Sequence, residues 1–191
     1  DENQTAIGTV TATDADGDTI TYSVSGSEIL IDSSSGVLTF ASAPDYETKA
    51  SYTATVTASD GVNSSTQNIT VNISNLNDNS PSFSSSASFS MTENTTAIGT
   101  VAVTDADGDG ISFSISGSEI NINASSGVMT FVSAPDYETK SSYTATVTAS
   151  DGINLVTQDV SIDVVNDVMF VASQDSTNDS TGSSELSNYT V

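Results

Sequence analysis

The chemistry-bearing residues of this chain are carboxylates that return in the same short groups. Glu2 is matched by Glu93, and Asp14-Ala-Asp16-Gly-Asp18 by Asp105-Ala-Asp107-Gly-Asp109. Asp45-Tyr46-Glu47 is matched by Asp136-Tyr137-Glu138, and Asp60 by Asp151. Grouped acids can exchange protons as a general acid and base, or surround a hard cation with six to eight oxygens. The chain has no histidine and no cysteine, so zinc sites and the usual base of a catalytic triad are excluded. No nucleophile stands beside a partner base, and an enzyme is not expected. One such acidic group reads most simply as a turn, because Asp and Asn are common turn formers. Four groups, each present twice around the Asn-rich stretch 75–81, point instead to a divalent cation, calcium first.

The charge balance supports this. Twenty-five acidic residues face two lysines, a formal net charge of -23. Such a surface repels nucleic acid and anionic membranes, and its self-repulsion weakens a compact fold until cations neutralise it. No apolar run approaches the roughly 18 residues needed to span a bilayer, so membrane insertion is not expected. No secretory leader opens the chain either, which carries little weight because the chain is expected to begin inside a domain.

The elements that must position these acids are strands. ENQTAIGTV from Glu2 returns as ENTTAIGTV from Glu93, and SYTATVTASDG from Ser51 returns from Ser142, at one offset of 91 residues. About three quarters of the positions from 2 to 67 recur at that offset, which indicates tandem domains. Tyr52, Ala54, Val56 and Ala58 alternate with Thr53, Thr55 and Thr57; Ile69, Val71 and Ile73 alternate with Thr70 and Asn72. Period two with β-branched and aromatic residues reads as half-buried strands. Gly26, Gly36, Pro44 and Gly61 punctuate the runs as turns. The expected architecture is all-β: two Greek-key β-sandwich domains end to end, each of about seven strands. The expected boundaries are 1–79 for the first, 80–167 for the second and 168–191 for a polar tail or the start of a further segment. The first repeat lacks a counterpart of the stretch 81–91, so its first strand is expected to be missing and one sheet edge uncovered.

The order and spacing of these motifs resemble the cadherin repeat over nearly all of residues 2–167. The family's Glu-Asn pair corresponds to Glu2-Asn3 and Glu93-Asn94, and its Asp-X-Asp to Asp14/Asp16 and Asp105/Asp107. Its acidic turn corresponds to Pro44-Asp45-Tyr46-Glu47 and Pro135-Asp136-Tyr137-Glu138; its A-x-D strand end corresponds to Ala58-Ser59-Asp60 and Ala149-Ser150-Asp151. The linker motif DxNDNxPxF appears as Asn75-Leu76-Asn77-Asp78-Asn79-Ser80-Pro81-Ser82-Phe83, with asparagine where the family usually opens on aspartate.

The resemblance implies about three calcium ions at the junction. It implies as their ligands Glu2, Asp45 and Glu47 from the first repeat, and Leu76 (carbonyl), Asn77, Asp78 and Asn79 (carbonyl) from the linker. From the second repeat it implies Asp105, Asp107 and Asp151. Asp14, Asp16 and Asp60 are expected to form an upstream half-site, and Glu93, Asp136, Glu138, Asn166 and Asp167 a downstream one. Both suggest a piece of a longer array, although the second linker, Val165-Asn166-Asp167-Val168, is short and lacks proline.

The function implied is a calcium-binding, calcium-rigidified adhesion or spacer module at the cell surface, similar to the cadherin-like arrays of large bacterial adhesins. Its expected partners are calcium, neighbouring repeats or identical chains, and polysaccharide or another cell-surface protein. Two other readings differ in class. One is a filament or surface-layer subunit joined by strand donation, with the tail around Val168–Ser173 as donor. The other is a calcium-dependent carbohydrate-binding module. An exposed aromatic platform would favour that reading, and most of the six Tyr and six Phe are expected in the core.

Overall fold

The computed structural model describes residues 1–167, which form strands and turns without a helix. The tail expected at 168–191, with its proposed strand donor, lies outside the described residues. The first repeat contains β1 (Ala6–Thr9), β2 (Thr21–Val24), β3 (Ile29–Ile31), β4 (Val37–Phe40), β5 (Ser51–Ser59) and β6 (Ser64–Asn72). The second contains β7 (Ser82–Phe83), β8 (Ser88–Thr92), β9 (Ala97–Thr100), β10 (Val103–Thr104) and β11 (Ser112–Ile115). It continues with β12 (Ile120–Ile122), β13 (Val128–Phe131), β14 (Ser142–Ser150) and β15 (Leu155–Val165).

Each repeat is a sandwich of two sheets. In the first, β1-β4-β3 faces β2-β5-β6; in the second, β9-β13-β12 faces β11-β14-β15-β8, with β7 and β10 as a short extra pair. The alternation read from the sequence is realised. Ala54 and Val56 of β5 meet Ile29, Leu38 and Phe40 across the first sandwich, while Thr53 stays exposed. Val147, Val160 and Ile162 meet Ile120, Met129 and Phe131 in the second. The tight turn between β3 and β4 is built by Asp32, whose Oδ1 accepts the amides of Ser34 and Ser35 at 3.0 and 2.8 Å. It ends on Gly36 at φ +71°, where an added Cβ would lie 2.3 Å from the Val10 carbonyl oxygen. Only glycine meets both conditions there.

The two sandwiches differ at one edge. β8 runs parallel to β15, pairing Ser161 with Ser88 through to Val165 with Thr92, and makes that sheet four-stranded. Among the described residues nothing pairs with the equivalent outer edge of β6. The packing follows. Val160 and Ile162 are 1% and 0% exposed, whereas their counterparts Ile69 and Val71 are only half-buried.

Candidate metal centre at the repeat junction

The centre starts from a buried acid. Glu2 is 1% exposed, and its carboxylate accepts the Tyr46 amide at 2.7 Å and the Leu76 amide at 2.8 Å. It therefore ties the start of the chain to the Asp45-Tyr46-Glu47 turn and to the linker. The neighbouring Asn3 makes this possible. At φ 61° it adopts the left-handed region that Asn tolerates better than most residues, and its amide reaches the Pro44 carbonyl at 3.0 Å. Asp45 accepts the hydroxyl and amide of Thr48 at 2.9 and 3.2 Å, and this bonding holds its carboxyl below the ordinary value. Oxygens of Glu2, Asp45 and Glu47 all lie within 4.8 Å of one another.

From Glu47 the acids continue across the linker. Glu47, Asp78 and Asp107 form a second such group, and Asp105, Asp107 and Asp109 a third. The three groups share Glu47 and Asp107, so they make one row from the first repeat through the linker into the second. Asp107 accepts the Asn79 side-chain amide at 2.8 Å, the Asn79 backbone amide at 2.8 Å and the Asp78 amide at 3.1 Å. These bonds, the Asn79 side chain foremost, keep it ionised below the usual range. Glu47 is pushed the other way. Partial loss of hydration raises its carboxyl, and the charges of Glu2 and Asp107 add to the shift. Asp105 accepts through Oδ1 alone and leaves Oδ2 buried without a hydrogen-bond partner. Asp109, whose amide reaches Asp105 at 3.2 Å, joins the row although the expected ligand set stops at Asp107. The visible signal for it was the third aspartate of the repeated DADGD.

Other expected ligands stand differently. Asp151 is buried, yet its carboxylate accepts the Ile153 amide at 2.8 Å, the Asn154 amide at 2.6 Å and the Asn154 side chain at 3.0 Å. These bonds lie within its own turn, and Asp151 belongs to none of the three-acid groups. Asn77 Oδ1 and the Asn79 carbonyl both accept from the Asn154 side chain. Leu76 takes part through its amide to Glu2. Asn75 donates its side-chain amide to the Asp107 carbonyl at 2.9 Å, a bond that an aspartate at this position could not make.

The half-sites also divide. Glu93, Asp136 and Glu138 repeat the geometry of Glu2, Asp45 and Glu47 within the same 4.8 Å. Glu93 accepts the Tyr137 amide at 3.1 Å and the Asp167 amide at 2.9 Å, and Asn166 donates to Glu138 at 2.8 Å. Asp14, Asp16 and Asp60 do not come together as a three-acid group. Asp14 accepts the amides of Asp16 and Asp18, and Asp60 those of Val62 and Asn63, so each carboxylate serves its own loop. The lysines lie apart from the row as well. Lys49 pairs with Glu28 at 2.6 Å over the Tyr52 ring, and Lys140 pairs with Glu119 at 2.7 Å over Tyr143, each outside the acidic turn beside it in sequence.

Residues 1–74 match the family model described as the cadherin domain. No curated protein matches the chain by sequence. Among solved structures, the chain is similar to human protocadherin-24 EC1-2 at 23% identity and a TM-score of 0.71, covering 86% of this chain and 89% of that one. It is similar to mouse cadherin-23 EC22-24 at 28% identity and a TM-score of 0.72, covering 86% of this chain and 61% of that one. Protocadherin gammaB7 EC3-6, solved as a cis-dimer, is 31% identical over 78% of this chain and 41% of its own, with a TM-score of 0.66. Residues 1–74 thus match the cadherin domain, and the described residues share the fold of tandem cadherin repeats.

Proposed function

We infer that this chain is a calcium-rigidified adhesion and spacer module of an extracellular, cell-surface protein. The observation that supports the reading most is the meeting of Glu47, Asp78 and Asp107 within 4.8 Å. These carboxylates come from three segments: the first repeat, the linker and the second repeat. Like charges at such spacing repel, and both lysines are committed elsewhere. The donors are all hard oxygens, and Asp105 Oδ2 is buried without a partner, so the residues fit a hard divalent cation. Bound calcium would supply the positive charge that lets these carboxylates stay together.

The chain's own residues do the positioning. Glu2 holds the acidic turn against the linker through the Tyr46 and Leu76 amides. Asn79 and Asp78 orient Asp107 through three donors. Glu47 and Asp107 each belong to two groups, so they are the residues that would couple one ion to the next. Asp45, Asp78, Asp105 and Asp109 would complete the oxygen sets, with Glu2 as an inner support and ligand. Glu93, Asp136 and Glu138 would offer the same arrangement to a following repeat. A protocadherin solved as a cis-dimer adds support for a second copy of the chain among its partners.

Thermal melting during a calcium titration tests this. An ion that binds only the assembled junction, at one hundred times its Kd, adds about 2.7 kcal/mol, or roughly 5–10 °C in Tm for a chain of this size. A melting curve that ignores both calcium and chelator rejects the reading. The outer edge of β6, unpaired among the described residues where β15 is covered by β8, favours a second reading: assembly by strand addition. Light scattering that finds one monomeric species with and without residues 168–191 would remove it.

A further inference from the structure

One side chain at the junction is surrounded by more acceptors than it has hydrogens. The Asn154 amide nitrogen lies 3.0 Å from Asn77 Oδ1, 3.2 Å from the Asn79 carbonyl oxygen and 3.0 Å from Asp151 Oδ2. An NH2 group carries two hydrogens, so three oxygens share them. The opposite rotation of the amide would set its own oxygen against the same three, which is repulsive. Asn77 is held from both ends, because its nitrogen also donates to the Asp151 carbonyl at 3.3 Å. The equivalent Asn63 of the first repeat makes only the in-turn bond, to Asp60 Oδ2 at 3.2 Å. What Asn154 adds is its hold on the linker.

We propose that Asn154 is a metal-independent clamp of the linker on the second repeat, and that its amide occupies oxygens a cation would otherwise use. The inference rests on the calcium reading only in its second half. Three oxygens converging from a linker side chain, a linker carbonyl and a carboxylate form the kind of set a hard cation takes. Here a neutral donor sits at their focus, and it leaves one negative charge, that of Asp151, only partly balanced. The clamp biases the repeats toward the aligned state when calcium is absent, and bound calcium would complete the rigidity. The clamp also sets the ion count: calcium enters the row of Glu47, Asp78, Asp105, Asp107 and Asp109 freely, but reaches the Asp151 corner only by displacing the amide. The partly buried setting strengthens these bonds relative to bonds in water.

The test uses the whole chain. It has no cysteine, so spin labels on Thr53→Cys and Thr144→Cys, both exposed strand positions, report the distance between repeats without other attachment. In chelator, Asn154→Ala should raise the population of open, broadly distributed distances about tenfold over the parent, the change expected for losing two ordinary hydrogen bonds. Asn63→Ala, which removes the matching in-turn bond in the first repeat, should leave the distribution unchanged. In calcium titration by calorimetry, Asn154→Ala should bind its weakest ion about tenfold more tightly, and Asn154→Asp more tightly still. A metal-free distribution equal to the parent's, or an equal broadening by Asn63→Ala, overturns the clamp. Unchanged or weakened calcium binding in Asn154→Ala overturns the competition. A parent chain that binds no calcium ends the proposed function, while the chelator arm still decides the clamp.

Discussion

The junction and the far end of the second repeat carry the same acidic frame in two states of completion. At the junction, Glu2 joins Asp45 and Glu47 and takes the Leu76 amide; at the far end, Glu93 joins Asp136 and Glu138 and takes the Asp167 amide. Each repeat therefore builds half a site by its own hydrogen bonds. What differs is the continuation. Glu47 meets Asp78 and Asp107 across the linker, whereas Glu138 accepts the neutral amide of Asn166. A repeat alone arranges acids, and a second repeat turns the arrangement into a continuous row.

Removing one charge from each state should separate them most. Asp107→Asn touches two acid groups at the junction and should weaken calcium binding there by at least tenfold, while Asp136→Asn should change junction affinity by less than about threefold, since a shared ligand supplies a charge-assisted contact that a peripheral one does not. Titration calorimetry of both variants checks this, and equal losses would erase the distinction. Packing gives the next effect. Ile162→Ala, at a fully buried position beneath the β8–β15 pairing, should cost about 2–5 kcal/mol, and Val71→Ala, half-buried beside the open edge, less than half of that; denaturant unfolding reads both. Asn75→Asp follows. It deletes the donor to the Asp107 carbonyl and adds a charge, so the metal-free Tm should fall by a few degrees for a change near 1 kcal/mol, and calcium should recover it.

The smallest expected effect depends on pH. Asp32 is held far below the ordinary carboxyl value, first by the Ser35 amide and then by the Ser34 hydroxyl. Its ionised form is thus favoured by folding: the contribution is complete above the unfolded value near 3.9 and is lost as the pH falls below it. Asn123, at the same turn of the second repeat, accepts the corresponding amides of Ser125 and Ser126 without titrating. Asp32→Asn should flatten the acid limb of the first repeat's stability curve and leave the second unchanged. Glu47 works in the opposite sense. Its raised carboxyl means that the metal-free junction loses stability as the pH rises through the upper carboxylate range, and calcium should cancel that slope.

The fold was legible because its signals are local. Alternation at 52–58 and 143–149 follows from the pleat alone, and the offset of 91 residues places every acidic group twice. The row Glu47–Asp78–Asp107 was legible through the family resemblance. Three features were not. Asp151, expected among the ligands, also accepts the amides of Ile153 and Asn154 in its own turn, bonds that the DG pair does not reveal. The partner of Lys49 was hidden because stacking on Tyr52 carries the ammonium to Glu28, away from the adjacent Glu47. The role of Asn154 was hidden because an amide's value lies in which of its two ends faces the neighbours, and those neighbours come from a linker more than seventy residues away in sequence.

The central claim is that acids from both repeats and the linker share cations. A crystal structure grown in millimolar calcium, with anomalous maps to locate the metal, tests it directly. The account requires strong peaks beside Glu47 and Asp107, with Asp78 drawn toward them. Clean maps with no peak along that row, and Asp78 turned to solvent, would contradict it.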